Sequence, residues 1–298
     1  MVVFFVFLNI DLLMKQFKFL LLSFLGIFAG LYVIYVSYFY FNQEEMVFVQ
    51  YKLDENYKFN FENNFEEVKL KSFDGKYQHG ILFKANGPKG LVFYLHGNAG
   101  AVDSWGRISK TYTDLGYDIF ILDYRSFGKS EGEIENEEQI LKDVQIVFDS
   151  VSKKYKKNII IGYSIGTGVA SCLASIRKND ILILKAPFDN FLKFTEGRVP
   201  YFPNSLKKFR FETDKNLSKI KTPIYLFHGN KDQLISVENS FRLKQVLKST
   251  DSLFILEGQK HLGINENVEY KQKNYRIVKI IYLLFNLLYF FIISFRIL

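Results

Sequence analysis

The sequence predicts an α/β protein: a mostly parallel central sheet with helices on both faces, preceded by an N-terminal helix that crosses a membrane. Three observations predict it. Short β-branched and aromatic runs end in Gly, Asp or Ser turns at Leu91–Leu95, Asp118–Leu122, Asn158–Gly162, Ile181–Leu184, Pro223–Phe227 and Ser252–Leu256. Longer amphipathic stretches, such as Glu137–Lys153 and Ser236–Lys248, separate most of them. Continuous apolar strands alternating with helices are the pattern of a parallel sheet buried on both sides. Finally, Phe19–Phe41 is a run of 23 residues without a formal charge, enough at 1.5 Å per residue to cross a hydrocarbon core of ~30 Å.

In chain order, Lys15 and Lys18 precede this first run, and Glu44 and Glu45 follow it. The positive-inside rule then puts the N-terminus in the cytoplasm and the main domain on the other side. A cleaved signal peptide is the rival. The run is longer than a signal core, however, and its end carries Tyr35, Tyr38 and Tyr40 where cleavage wants small residues, so a retained anchor is expected. Met14-Lys15 offers an alternative translation start. Met46–Leu53, Glu67–Phe73 and Tyr77–Phe83 read as antiparallel strands leading into the sheet. The aromatic-rich segment Phe188–Pro223, with Phe191, Phe194, Tyr201, Phe202, Phe209 and Phe211, replaces a simple crossover. It reads as a small cap over a site or as ordinary packing. At the end of the chain, Ile280–Phe295 is almost wholly apolar but short for a span, and Lys271, Lys273, Arg276 and Lys279 precede it. Those charges would place that flank on the cytoplasmic side, against the N-terminal orientation. An interfacial helix, a helix docked on the anchor and a second span all stay open. The expected division is an anchor over 1–44, the α/β domain over 45–279 with its cap at 188–222, and an apolar tail over 280–298.

Composition supports a packed core, with 48% apolar and 23% charged residues in a chain of 298. The net charge of +8 comes from lysines scattered over helices and loops, with no dense basic stripe interleaved with aromatics, so no nucleic-acid partner is expected. An anionic membrane surface or simple solubility accounts for it. Cys172 is the only cysteine, which excludes an intrachain disulfide, a CxxC pair and a cysteine-rich zinc site, and it reads as a small core residue.

The strongest chemical signal is Gly162-Tyr163-Ser164-Ile165-Gly166, between the apolar run Asn158–Ile161 and a small-residue helix, Gly166–Ser175. A strand–turn–helix around G-x-S-x-G is the context of a nucleophilic serine: the tight turn excludes bulk on either side, and the helix start aims amides at developing negative charge. A serine hydroxyl needs a base within hydrogen-bond reach. Of four histidines, His79 lies in an early hairpin, His96 begins a turn and His228 sits at a strand end, whereas His261 occupies a loop after the late strand Ser252–Leu256. The order serine, acid, histidine makes His261 the base. The acid then belongs in a loop after a strand between the two. Asp232 meets this in His228-Gly229-Asn230-Lys231-Asp232, with Asp189 as the alternative, although a helix cap suits Asp189 better. Donors for an oxyanion are expected from His96-Gly97-Asn98-Ala99-Gly100, through the backbone N–H of Asn98 together with that of Ile165. His96 would shape that loop, while Asp123 and Arg125 would brace the loop after their own strand.

With these motifs in order, the chain resembles the α/β-hydrolase superfamily, in particular its membrane-anchored branch with H-G-N-A-G, D-Y-R-G-x-G-x-S-x-G, G-x-S-x-G and H-G-x-x-D. Here they stand at His96–Gly100, Asp123–Gly132, Gly162–Gly166 and His228–Asp232, with the final histidine at His261, so the likeness runs from about Phe65 to Lys279. Ser126 stands where that branch usually has Gly, in what reads as a surface turn. The branch resembles both serine-aminopeptidase-like bacterial hydrolases and eukaryotic protein depalmitoylases. The resemblance implies a metal-free, cofactor-free serine hydrolase acting on carboxylic esters or thioesters, with an acyl chain as substrate. A peptidase, or a catalytically silent membrane-bound binding protein of the same fold, is the alternative.

Overall fold

A computed structural model describes residues 2–279, so the expected tail over 280–298 lies outside the described residues. Eight strands form the central sheet: β1 (Phe65–Lys71), β2 (Tyr77–Phe83), β3 (Leu91–Leu95), β4 (Asp118–Leu122), β5 (Asn158–Tyr163), β6 (Ile181–Lys185), β7 (Ile224–Gly229) and β8 (Ser252–Leu256). Their spatial order is β8-β7-β6-β5-β3-β4-β2-β1. β1 and β2 pair antiparallel, as do β2 and β4, and every other neighbouring pair is parallel. This is the α/β-hydrolase architecture expected from the motif order.

Side-chain alternation divides the core into two layers. On β3, Leu91, Phe93 and Leu95 point to one face and Val92 and Tyr94 to the other, all fully buried. Successive side chains in a strand face opposite ways, so a strand covered on both sides must be apolar throughout, as these are. The first face is covered by α2 (Glu137–Ser152), through Ile140, Val144, Val147 and Phe148, and by α3 (Ile165–Ile176), through Val169, Ala170 and Leu173. Residues 268–279 form a helix whose Tyr270, Ile277 and Val278 belong to the second face. Asn136 caps α2 by accepting from Gln139 N at 2.9 Å, worth about 1 kcal/mol.

Several expected boundaries moved. Met46–Leu53 is not a strand. Gln43–Val47 is one short helix, Phe48 is buried against Phe127 and Phe209, and only Tyr51–Lys52 is extended, pairing in parallel with Phe127–Gly128. Its aromatic content serves packing and not a ladder. The helix expected over Ser236–Lys248 covers only Glu238–Lys244 (α4).

The insertion between β6 and β7 is present as short helices at Phe191–Glu196 and Thr213–Leu217. Phe188, Phe191, Phe209 and Phe211 are buried in the core on the α3 side of the sheet. Gly168 makes this possible, since a Cβ there would stand 2.6 Å from Phe211 Cβ and 2.8 Å from Phe188 Cζ.

The chain divides into two compact units. The second starts at Glu44 and holds the sheet. The first holds α1 (Val2–Phe41) together with Tyr201–Lys207 from the insertion. Within it Tyr32 Oη donates to Tyr201 O at 3.0 Å, Phe39 contacts Phe202, and Gln43 Nε2 donates to Leu206 O at 3.0 Å. Leu12–Phe41 contains a stretch of mean hydropathy 2.4, none of it buried, long and apolar enough to cross a membrane.

Candidate active site

The end of β5 and the start of α3 meet at Ser164, whose φ of 53° and ψ of −119° put a non-glycine residue in the left-handed half of backbone space. Such strain persists only where the surroundings impose it. They do so here through two glycines. A Cβ on Gly162 would sit 2.5 Å from Gly166 O, and one on Gly166 would sit 2.3 Å from Leu95 O and 2.6 Å from His96 O. Backbone cannot yield at those distances, so the flanking positions are confined to glycine. Ser164 N donates to Lys185 O on β6 at 2.9 Å, which fixes the turn to the neighbouring strand.

The loops after β7 and β8 bring two further groups to this turn. His261 Nε2 lies 3.0 Å from Ser164 Oγ, and His261 Nδ1 lies 2.7 Å from Asp232 Oδ2. With the carboxylate accepting from Nδ1–H, Nε2 is left free to accept the serine proton. Asp232 is anchored from every side. Its Oδ1 accepts from Leu234 N at 2.9 Å and Ile235 N at 2.8 Å, and its Oδ2 also lies 3.3 Å from His228 Nε2. Burial pushes the Asp232 pKa up, but hydrogen bonds from His228, His261 and Ile235 outweigh it and hold the carboxyl well below the usual range. His228 Nε2 faces two acceptors, Asp232 and Ile235 O at 2.8 Å, and so carries the proton, while Nδ1 accepts from Ser240 Oγ at 2.6 Å. The His261 loop is fastened by Tyr163 Oη, which donates to His261 O at 2.6 Å.

The loop after β3 faces the same space. Asn98 Oδ1 accepts from Val49 N at 2.9 Å, Trp105 Nε1 donates to Ala99 O at 2.8 Å, and Tyr124 Oη donates to His96 O at 3.2 Å. The first amides of α3, Ile165 N–H among them, have no partner within their helix. His96 is fully buried among Trp105, Tyr124 and Phe127 and donates from Nδ1 to Gly97 O at 2.7 Å. Burial lowers its pKa, which keeps it neutral, and it does not reach Ser164. Ser164 and His261 open into a cleft of about 520 Å³ walled by Trp105, Tyr163, Leu234 and Leu262, with Lys231 and Lys260 on its lining and, among the described residues, no carboxylate.

Other residues singled out in the sequence lie elsewhere. Asp189 does not cap a helix. Asn190 does, accepting from Leu192 N and Lys193 N, while Asp189 is buried and paired with Arg242 Nε at 2.6 Å. Asp123 is wholly buried, accepting from Val102 N at 2.8 Å and facing His79 Nδ1 at 3.2 Å. Arg125 spans Asp143 and Asp74, the latter at 2.6 Å, and this pairing lowers the Asp74 pKa to about 2. Ser126 is not in a surface turn: it is fully buried, at φ 64°, with no hydrogen-bond partner for its Oγ. Cys172 is half-buried, and burial pushes its thiol up to about 11. Sequence reasoning missed His228 as a partner of Asp232, Tyr163 as the clamp on the His261 loop, and Lys185 altogether.

The family model described as "Serine aminopeptidase, S33" matches residues 86–209. The lysophosphatidylserine lipase ABHD12 of Danio rerio is 28% identical over 188 residues, covering 55% of this chain and 48% of that protein. The uncharacterized protein YfhR of Salmonella typhi is 24% identical over 216 residues, covering 65% and 73% respectively. The chain thus spans about half the length of the ABHD12 proteins it matches. Among solved structures, the Pyrococcus furiosus esterase Pf2001 superimposes with a TM-score of 0.63 at 18% identity, over 77% of this chain and 97% of that one. At that identity the likeness speaks to the fold alone.

Proposed function

We propose that the chain is a serine hydrolase of the α/β-hydrolase superfamily, similar to the ABHD12 lipases and to the S33 serine-aminopeptidase family, and that it acts as a membrane-anchored hydrolase of carboxylic esters or thioesters. The observation that carries the proposal is the continuous line from Asp232 through His261 to Ser164, at 2.7 and 3.0 Å, opening into a cleft with apolar walls. Ser164 Oγ gives its proton to His261 Nε2 and attacks the carbonyl carbon, and the oxyanion is held by the N–H groups of Asn98 and Ile165. The imidazolium then protonates the departing alkoxide or thiolate. Water, deprotonated by His261, attacks the acyl-Ser164 carbonyl, and the imidazolium returns that proton to Ser164 Oγ as the acid departs. Apart from the hydrolytic water, every step uses side chains or backbone amides of this chain.

Leu234 and Leu262 are exposed at the rim of the cleft, beside Lys231 and Lys260. That mixture suits an amphiphilic acyl substrate, a lipid or a lipidated chain. It argues against an aminopeptidase, which needs a carboxylate for the substrate's ammonium where this cleft presents lysines. The anchor over 1–44, with Lys15 and Lys18 ahead of the span, supports a domain over 45–279 on the non-cytoplasmic face. The test is fluorophosphonate labelling and hydrolysis of an acyl ester and thioester series. Ser164→Ala is expected to lose both while keeping its fold; undiminished labelling of that variant would overturn the assignment.

A further inference from the structure

Lys185 closes β6 with its side chain fully buried, yet no carboxylate among the described residues lies within ion-pair distance of its Nζ. The head group sits instead among three tyrosine rings, 4.6 Å from the centroid of Tyr94, 5.0 Å from Tyr270 and 5.6 Å from Tyr163. Its one hydrogen-bond acceptor among the described residues is Asn265 Oδ1 at 2.6 Å. Ring faces attract an ammonium but do not replace its hydration. Burial accordingly drives the Lys185 pKa well down, with Glu266 the acid that opposes the shift. A lysine placed this way is a poor source of stability: buried charges replaced by apolar groups of similar volume often leave a protein unchanged or more stable. Its placement needs another reason.

The two ends of the residue supply one. The Lys185 carbonyl accepts from Ser164 N at 2.9 Å, and Lys185 Nζ donates to Asn265, four residues beyond His261 in the same loop. Tyr163, one of the caging rings, donates its hydroxyl to His261 O. A single residue, through its backbone at one end and its side chain at the other, therefore ties the turn that carries the nucleophile to the loop that carries the base. We propose that Lys185 is a positioning residue that sets the reach from His261 Nε2 to Ser164 Oγ by holding the 258–267 loop through Asn265. The proposal rests on the serine-hydrolase reading of the site. It adds a residue that touches neither substrate nor reacting atoms.

Lys185→Met keeps the stem and removes the head group. In the full chain, kcat on a short soluble ester and the rate of fluorophosphonate labelling should both fall about tenfold or more, because small misplacements of a catalytic group are costly. KM should stay near wild type and the Tm should hold or rise, a combination that loss of structure does not produce. Asn265→Leu should reproduce the loss, and the double variant should be no slower than the worse single one, since both cut the same tie. Asn265→Asp, which keeps an acceptor for Nζ, should stay within about threefold of wild type in kcat. Wild-type kcat in Lys185→Met, or losses that multiply in the double variant, would overturn the proposal. Should Lys185→Met fail to fold, Asn265→Leu decides alone: a loss confined to kcat supports the proposal and an unchanged kcat overturns it. Labelling of the wild type and not of Ser164→Ala keeps the outcome separate from the serine assignment itself.

Discussion

Replacing Asp232 by Asn tests the acid of the proposed triad with almost no change in shape. Every group around this carboxylate is a donor: Leu234 N and Ile235 N on Oδ1, His261 Nδ1 and His228 Nε2 on Oδ2. An amide has one accepting oxygen and one donating nitrogen, so it can satisfy only one side. The backbone N–H groups can neither turn nor lose their protons, whereas His261 can change tautomer and His228 Nε2 keeps Ile235 O as an acceptor at 2.8 Å. The amide oxygen therefore faces Leu234 and Ile235, and its NH₂ faces His261. That stabilises the tautomer with the proton on Nε2, the atom that has to accept from Ser164. A wrong tautomer in an otherwise intact triad costs about 10⁴ in kcat, or ~5 kcal/mol of transition-state stabilisation. Steady-state hydrolysis of a soluble ester measures it directly, with Asp189→Asn as control. Asp189 serves Arg242 and lies outside the cleft lining, so its variant should stay within about threefold of wild type in kcat. A kcat for Asp232→Asn within tenfold of wild type, or a larger loss in Asp189→Asn, would refute the reasoning.

The same pair carries a pH signature. The Asp232 pKa is held low in the folded chain, so its contribution to stability is complete above the ordinary carboxylate value of about 3.9 and is lost as pH falls through the folded value. Asn does not titrate. In urea titrations at a series of pH values, the stability difference between wild type and Asp232→Asn should persist down to about pH 5 and close below about pH 4. A gap that widens there would contradict the depressed pKa.

Three further outcomes are expected. Ser126→Gly relieves a positive φ of 64° and removes a buried hydroxyl without a partner, so it should stabilise the domain by about 1 kcal/mol in urea unfolding. Gly166→Ala forces a Cβ to within 2.3 Å of Leu95 O; it should cost about 1–3 kcal/mol and also depress kcat by moving the His96–Gly100 loop. The full-length chain should stay with membranes through alkaline carbonate, and its domain should be open to protease only from the non-cytoplasmic side. Release by carbonate would refute insertion of Phe19–Phe41, and protection from that side would refute the orientation.

What could be read from the sequence divides along physical lines. β3, β4 and β8 fall where their apolar runs predicted, because each holds an unbroken apolar run between turn residues; β3 and β4 are buried throughout, whereas β8, at the sheet edge, is fully buried only at Leu256. The residues expected to carry the chemistry were legible for a related reason. Gly162, Ser164 and Gly166 stand in one short string because backbone approaches of under 3 Å admit nothing but glycine. His261 and Asp232 could be placed because loops at one end of a parallel sheet converge. The misreadings share a different cause. Met46–Leu53 has the composition of a strand but spends its aromatics on packing, and Asp189 was given the capping role that its neighbour Asn190 performs. Composition does not say what a side chain touches.

Lys185 shows where this kind of reading stops. A lysine after Ile181–Leu184 looks like an ordinary charged residue ending a strand, with its head group in water. Three tyrosines from separate segments, Tyr94 on β3, Tyr163 on β5 and Tyr270 near the end of the domain, cage it only once the sheet is assembled. None of the three is near Lys185 in sequence, and each alone reads as a core aromatic. The proposed triad is written in local strings because chemistry dictates each residue type on its own. The support behind it is written in contacts between strands, where a residue's role follows from its neighbours and not from its kind. Variants of Ser164 or His261 therefore test what the sequence already suggested, whereas Lys185 and Asn265 test what only the fold brings together.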